Sequence, residues 1–326
     1  MSERLKKIVV GYDFSEPSTQ AVRVAVDFAK RFGATLSVVT AIPGHLTSEL
    51  RIALEPRGPV YHEIPFDYEN RLQENVHHEI RKKLAEIDTE GVDLRVEVPI
   101  ELKPTKPFVS LLDLANFVET DLIVVGATGM GRLRKWLVGS TAERLVRKSR
   151  FPVYVVKSDQ PIELRRVLCP VDFSDASRSA LEFGATFARA YRANLDILHV
   201  MEPVVSPQVG ALVGLGRLSQ AEGATLKAEA ETNAEAKFER LVAEVDLSGI
   251  KWQRQFSEGL AEYVIVDHVT DNSYDLVSMG SLGRGFLRGM LIGNTAEKVL
   301  RSLPASLLTV KPDDFVLKHR FFRRVR

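Results

Sequence analysis

The chain is poor in the features that hold or anchor unusual proteins. It has one cysteine, Cys169, in 326 residues, so no disulfide framework can form within it, which fits a reducing compartment. No apolar run approaches the ~20 residues of a membrane span. The opening MSERLKKIVVGYD is not a secretory leader, because its apolar part, Ile8 to Val10, is far too short. A formal net charge of +1 removes any global electrostatic case for nucleic acid or a membrane surface. What remains is ordinary globular composition, 45% hydrophobic and 27% charged, and a cytoplasmic protein is expected. The length suggests about two domains at roughly 150 residues each, either large enough to bury its own core.

Comparison of the chain with itself shows why. IVVGYDFS at 8–15 matches VLCPVDFS at 167–174, an offset of 159 that also pairs Ala21 with Ala180, Phe28 with Phe187 and Leu36 with Leu195. Later the offset is 154, pairing Asp113 with Asp267, Asp121 with Asp275, Gly126 with Gly280, Gly139 with Gly293 and Lys157 with Lys311. The repeat is a whole domain. The expected division is 1–158, 159–312 and a basic tail, 313–326, containing KHRFFRRVR.

Each half alternates short apolar runs with helical patterns. Ile8 to Val10 ends at Gly11. A helix then follows, with Ser15 as N-cap, Ala21, Ala25, Phe28, Ala29 and Phe32 on one face, and Gly33 as its stop. LSVVTAI (36–42), RVEVPI (95–100), DLIVVG (121–126) and PVYVVK (152–157) are the other expected strands, and the second half repeats the order. Strand-helix alternation predicts an α/β fold: two tandem five-stranded parallel, Rossmann-like sheets with ligands at the strand carboxyl ends. The fifth strands, PVYVVK and ASLLTVK, are apolar and are expected to end each sheet. Their pairing would make an intramolecular pseudo-dimer.

Each fourth strand runs into a glycine-rich stretch, GATGMGRLRKWLVGS at 126–140 and GSLGRGFLRGMLIGN at 280–294. The first reads G-x2-G-x9-G-S through Gly126, Gly129, Gly139 and Ser140. A glycine turn ahead of a helix N-terminus is an anion cradle, with open N–H groups and the positive end of a helix dipole. Arg132, Arg134 and Lys135 would add positive potential, and Ser140 with Glu143 has capping-box spacing. The same residues also suit a purely structural turn and cap. The Walker pattern fails because Arg132-Leu133 follows Gly131, and the dinucleotide fingerprint fails at Arg134 and Arg288.

With an aspartate after the first strand, G-x2-G-x9-G-[S/T] and the continuation Thr141-Ala142-Glu143, the chain resembles a tandem universal stress protein across nearly its whole length. That resemblance implies the adenine nucleotide α-hydrolase-like fold and an ATP site. Asp13 would contact adenine and Ala41 would offer its backbone to the ring. Gly126 and Gly129 would line ribose and phosphates, and Gly139, Ser140 and Thr141 would hold phosphates through N–H and hydroxyl groups. Mg²⁺ would ride on the phosphates, with no metal ligands from the protein. In the second half Asp172, Val200, Gly280, Gly283, Gly293 and Thr295 match, but Asn294 replaces the Ser/Thr. Asn caps a helix about as well as Ser but reaches phosphate from a longer arm, which ranks the first domain as the expected ATP site.

No residue of the motif is an evident general base, so no catalytic residue is assigned and turnover is expected to be slow or absent. An adenylating enzyme would carry an SGGxDS-like loop where this chain has GYDFSEPS and CPVDFSDAS. The alternative is an interaction or small-ligand (lipid) carrier whose glycines serve only the fold, with PVVSPQVGALVGLG (203–216) as an apolar contact stretch. The expected partners are an adenine nucleotide and a second copy or a regulatory protein. His77 and His78 read as surface residues, His199 as pocket wall or core, and Cys169 as an inert buried thiol.

Overall fold

The computed structural model describes residues 5–41, 68–97, 106–129, 138–157, 162–201, 219–283, 291–312 and Phe315. The chain parts into two compact units between Ile162 and Glu163. The first contains β1 (Lys7–Gly11), α1 (Glu16–Phe32), β2 (Thr35–Val39), α2 (Tyr68–Leu84), β3 (Leu94–Glu97), α3 (Pro107–Val118), β4 (Leu122–Gly126), α4 (Ser140–Lys148) and β5 (Val153–Val156). The second contains β6 (Arg166–Pro170), α5 (Asp175–Tyr191), β7 (Asn194–Met201), α6 (Gln220–Glu244), β8 (Trp252–Glu258), α7 (Ala261–Asn272), β9 (Leu276–Gly280), α8 (Asn294–Ser302) and β10 (Ser306–Val310).

Within the first unit the strand order is β3-β2-β1-β4-β5 and every pairing is parallel. The second repeats it as β8-β7-β6-β9-β10, again all parallel. In each, the chain leaves the first strand in one direction and later returns to its other side. The switch point therefore lies between β1 and β4, and between β6 and β9. Parallel sheets of this kind open a crevice there, at the carboxyl ends of the strands.

The local chemistry of the first helix is as its sequence demands. Ser15 accepts a hydrogen bond from the Ser18 N–H, Pro17 sits in the first turn, and Gly33 closes the helix at φ 64°. Ala21, Ala25, Phe28 and Ala29 are buried, and Phe28 meets Tyr154 edge-on at 5.0 Å between ring centroids. In the second unit α5 begins on Ser174 in the same way and ends on Arg192 at φ 54°. The repeated aspartates at the start of the fourth strands are structural. Asp121 Oδ2 accepts from the Lys6 and Lys7 N–H groups at 2.8 and 2.9 Å, and Asp275 Oδ2 from those of Arg165 and Arg166 at 2.7 and 2.9 Å. Cys169 is fully buried on β6, and burial above all, with Asp196 adding, pushes its thiol pKa far up. It is the inert residue expected.

At the amino ends of its strands the second unit buries a polar cluster. Arg166 Nη2 lies 3.0 Å from Asp196 Oδ2, the Tyr274 hydroxyl donates to the same oxygen, and Arg166 stacks over the Tyr274 ring at 4.4 Å. With the tyrosine proton committed to Asp196, His268 Nε2–H donates to the Tyr274 oxygen at 3.1 Å. Burial holds the His268 pKa below its ordinary value, Asp196 opposing and Arg166 assisting. The folded state therefore prefers the neutral ring, and unfolding takes up a proton. This contribution is complete above about pH 6.5, the ordinary histidine value, and is lost as pH falls toward the lowered folded value. Thermal melts from pH 7.5 to 5 should show the second unit losing stability. His268→Phe, which keeps a ring against Tyr274, should flatten that slope, and an identical slope in the variant would dismiss His268 as its source.

Candidate functional site

Both switch points carry the same construction. In the first unit Phe14 adopts φ 64°, which turns the chain back so that Asp13 Oδ1 accepts from the Ser15 N–H at 3.1 Å and the Ser15 hydroxyl at 2.5 Å. In the second, Phe173 also sits at φ 64°, and Asp172 Oδ1 takes the same two bonds from Ser174 at 3.1 and 2.5 Å. Ser15 and Ser174 thus act twice, as helix caps and as brackets that fix the aspartates.

The glycines of the motif have three different causes. A Cβ on Gly126 would lie 2.7 Å from the Pro17 carbonyl oxygen, and one on Gly280 3.0 Å from Ala176 and Ser177 backbone atoms. These two permit helix and strand to touch. A Cβ on Gly129 would lie 2.6 Å from Asp13 Oδ2, and one on Gly283 2.6 Å from Asp172 Oδ2. The second pair therefore lets the loop close onto the aspartate. The third pair is different. Gly139 has φ −70° and Gly293 φ −78°, which any residue adopts, and a Cβ on either would come no nearer than 3.4 Å to a neighbour. Among the described residues neither the backbone angle nor a close neighbour requires glycine there.

Those last glycines are the N-caps of α4 and α8, and no side chain caps either helix. The capping box expected of Ser140 and Glu143 does not form. The chain enters the helix one residue earlier than the spacing suggested, so Ser140 and Asn294 are already the first helical residues. Glu143 instead pairs with Arg147 at 3.2 Å, as Glu297 does with Arg301 at 3.3 Å. A real capping box stands elsewhere, at Ser219 and Glu222 on α6. The Gly139 N–H donates to the Ala127 carbonyl at 2.6 Å and the Gly293 N–H to Ser281 at 2.7 Å, closing each loop at its base. The N–H groups left without an intrahelical partner are those of the next three residues, Ser140 to Ala142 and Asn294 to Ala296. Ser140 and Asn294 are exposed, whereas Thr141 and Thr295 are half-buried.

In the second unit these parts enclose a cleft of about 770 Å³, within the range for small-molecule sites. Every residue expected there lines it: Asp172, Val200, Gly280, Gly283, Gly293, Asn294 and Thr295. The sequence reading missed the far wall. It is supplied by α6 and the end of β8, where Lys227 and Glu258 pair at 2.7 Å, and that hydrogen bond raises the Lys227 pKa. Also missed was Lys311, buried at the end of β10, whose ammonium donates to the Leu291 carbonyl and so holds the returning end of the glycine loop. His199 is pocket wall as expected. It is 7% exposed and its Nδ1–H donates to the Val171 carbonyl at 2.8 Å.

In the first unit Ala41 follows Thr40, whose N–H extends the pairing to the Glu97 carbonyl at 3.2 Å. Arg132, Arg134 and Lys135, the apolar stretch at 203–216 and the tail at 318–326 lie outside the described residues. Among the described residues no three His, Cys, Asp or Glu side chains converge to hold a metal ion, and no helix is long and apolar enough to cross a membrane.

Comparison with known proteins agrees with this construction. The Universal stress protein family pattern matches twice, at residues 4–157 and 163–311. A universal stress protein of Mycolicibacterium smegmatis is 28% identical over 312 residues, 94% of this chain and 97% of that protein. Universal stress protein Rv2623 of Mycobacterium tuberculosis is 27% identical over 308 residues, covering 90% and 92% of the two chains. Among solved structures, a universal stress protein from Archaeoglobus fulgidus aligns over 94% of this chain and 98% of its own, with TM-score 0.61 and 21% identity. At that identity the likeness speaks for the fold alone. Two family matches in sequence, on two units built alike down to the aspartate bracket and the bare helix cap, place this chain in the universal stress protein family as a tandem member.

Proposed function

We propose that this chain is a regulatory adenine-nucleotide-binding protein of the stress response, turning ATP over slowly or not at all. The observation that carries this reading is the pair of bare N-caps. Ser, Thr, Asp or Asn at such a position typically stabilises a helix by about 1 kcal/mol relative to Ala and by a few tenths relative to Gly, so the glycine costs the helix little while leaving room for a ligand. Sterics permit a side chain at Gly139 and Gly293, yet both units leave the first-turn amides open. An anion fits that choice, and the helix dipole favours it. The fixed aspartate beside each cradle is an acceptor suited to an exocyclic amino group, as adenine has. Mg²⁺ would be carried by the phosphates.

The carboxylates among the described residues of the second cleft support the reading of slow turnover. Asp172 is bracketed by Ser174, Glu258 is paired with Lys227, and Glu231 stands on the α6 wall. Asp172 touches the glycine loop but its Oδ1 is held by Ser174, and we assign it to the adenine base rather than to a water. The longer reach of the Asn294 side chain, which ranked the first unit ahead, bears on one side-chain contact only; the backbone amides of the first turn are the same in both cradles, and we take both units as sites.

Calorimetric titration of the nucleotide-stripped protein with Mg-ATP should reveal two sites. Asp13→Asn and Asp172→Asn keep an oxygen for the serine bracket but turn the other acceptor into a donor. Each should remove one site while the melting temperature stays within about 2 °C, a shift worth roughly 1 kcal/mol or less. Absence of any heat with millimolar Mg-ATP would sink the nucleotide reading and leave a protein or apolar ligand as the occupant.

A further inference from the structure

The two units differ in what stands behind the residue that follows the aspartate. Phe14 and Phe173 share the left-handed backbone, which a bulky residue adopts only against a steric penalty. Glycine would relieve that penalty at either position, and what phenylalanine offers in return is the contact of its ring. In the first unit the Phe14 ring is 41% exposed and rests against Tyr12 at 4.8 Å. In the second, Phe173 lines the cleft and lies 4.2 Å from the His199 ring. His199 is met edge-on by Phe256 at 5.9 Å, and Phe256 by the fully buried Phe238 at 5.3 Å. A ladder of four rings thus runs from the core to the cleft. The His199 bond to the Val171 carbonyl fixes the third ring in place.

At the described positions equivalent to His199 and Phe238 the first unit carries no ring. Thr40 stands at the position of His199 by the offset of 159. An offset of 158, which matches Gly91 with Gly249 and Leu94 with Trp252, sets Ile80 opposite Phe238. Val171, Leu198, Val200 and Ala234 supply apolar surface on the walls of the second cleft. A planar group entering between the glycine cradle and α6 meets one aromatic face already held rigid. Preorganised faces of this kind bind more tightly because little is left to order on binding.

We infer that Phe173 is the base-stacking residue of the second cleft, held in place by His199, Phe256 and Phe238, and that it serves purine nucleotides in general. Stacking has no donor or acceptor pattern, so ATP and GTP should benefit alike. This inference rests on the nucleotide reading of the site. The phosphates and the stacked base are separate ends of the ligand, which allows the two to be tested apart.

The experiment uses the full chain carrying Gly139→Asp to close the first cradle, titrated with Mg-ATP, Mg-GTP and inorganic tripolyphosphate. Phe173→Gly, which also relieves the backbone, should weaken ATP and GTP tenfold or more, the effect of losing one stacked base. Tripolyphosphate binding should move less than twofold. Phe173→Leu, which keeps apolar contact with His199, should behave the same way, and Phe173→Trp should tighten both purines. Unchanged purine affinity in both truncations would overturn the inference while leaving nucleotide binding intact. Equal loss of all three ligands would overturn it too, by showing a role in the cradle's shape. If the parent protein binds tripolyphosphate but neither nucleotide, the inference and the nucleotide reading fall together.

Discussion

Gly126→Ala is expected to lower the stability of the first unit by about 3 kcal/mol, the upper part of the range for overpacking a tight contact. The added methyl would lie 2.7 Å from the Pro17 oxygen and 2.8 Å from its carbon. Both are backbone atoms in the first turn of α1, so no side-chain rotation relieves the clash, and helix and strand must separate. Gly280→Ala meets Ala176 and Ser177 atoms at 3.0 Å, a looser contact, and should cost only about 1 kcal/mol. For units of this size the two values correspond to roughly 10 °C and 3 °C in melting temperature. Calorimetric melting of both variants tests the ordering as well as the size. Equal shifts would mean that α1 and α5 yield alike, against the difference in spacing.

How much of this was legible in the sequence depended on how local each cause was. Ser15 and Gly33 bound the first helix as their residue types require, because a cap and a left-handed stop are decided within a few residues. The strands and the order of elements were readable from apolar runs and glycine stops. Ser140 was misread as a cap because the choice between last coil and first helical residue depends on the backbone of Gly139, which spacing does not reveal. The contact of Gly129 with Asp13 joins residues 116 apart in the chain. The Lys227 and Glu258 wall joins α6 to the end of β8. Neither leaves a local mark. The left-handed turn at Phe14 and Phe173 has no signature of its own either, since phenylalanine is a residue that normally argues against it. Duplication supplied the one non-local signal available. It showed that the aspartate and the glycines travel together, without showing that they touch.

The same duplication sharpens the second large effect, because one substitution can be made at either cradle. Gly139→Asp and Gly293→Asp should each abolish nucleotide binding in their own unit while leaving its fold as stable as before, or slightly more so. An aspartate at an N-cap accepts a first-turn N–H and favours the dipole, contributing a few tenths to about 1 kcal/mol. Its Cβ meets nothing closer than 3.4 Å at either site. For the ligand the sign is opposite. The carboxylate takes the amides that a phosphate would use and places a like charge beside it. At about 4 Å and an effective dielectric near 20, that repulsion is on the order of 4 kcal/mol, so an affinity loss of at least a hundredfold is expected. Gly139→Ser and Gly293→Ser separate the two causes, since serine caps the helix without adding charge and should weaken ATP by a smaller factor. Calorimetry with Mg-ATP on the four variants, beside their melting curves, gives both readouts. Stability that holds while binding disappears is the pattern of a cap left bare for a ligand. Full ATP affinity in both aspartate variants would instead mean that the phosphates lie elsewhere and that the third glycine is an accident of the repeat.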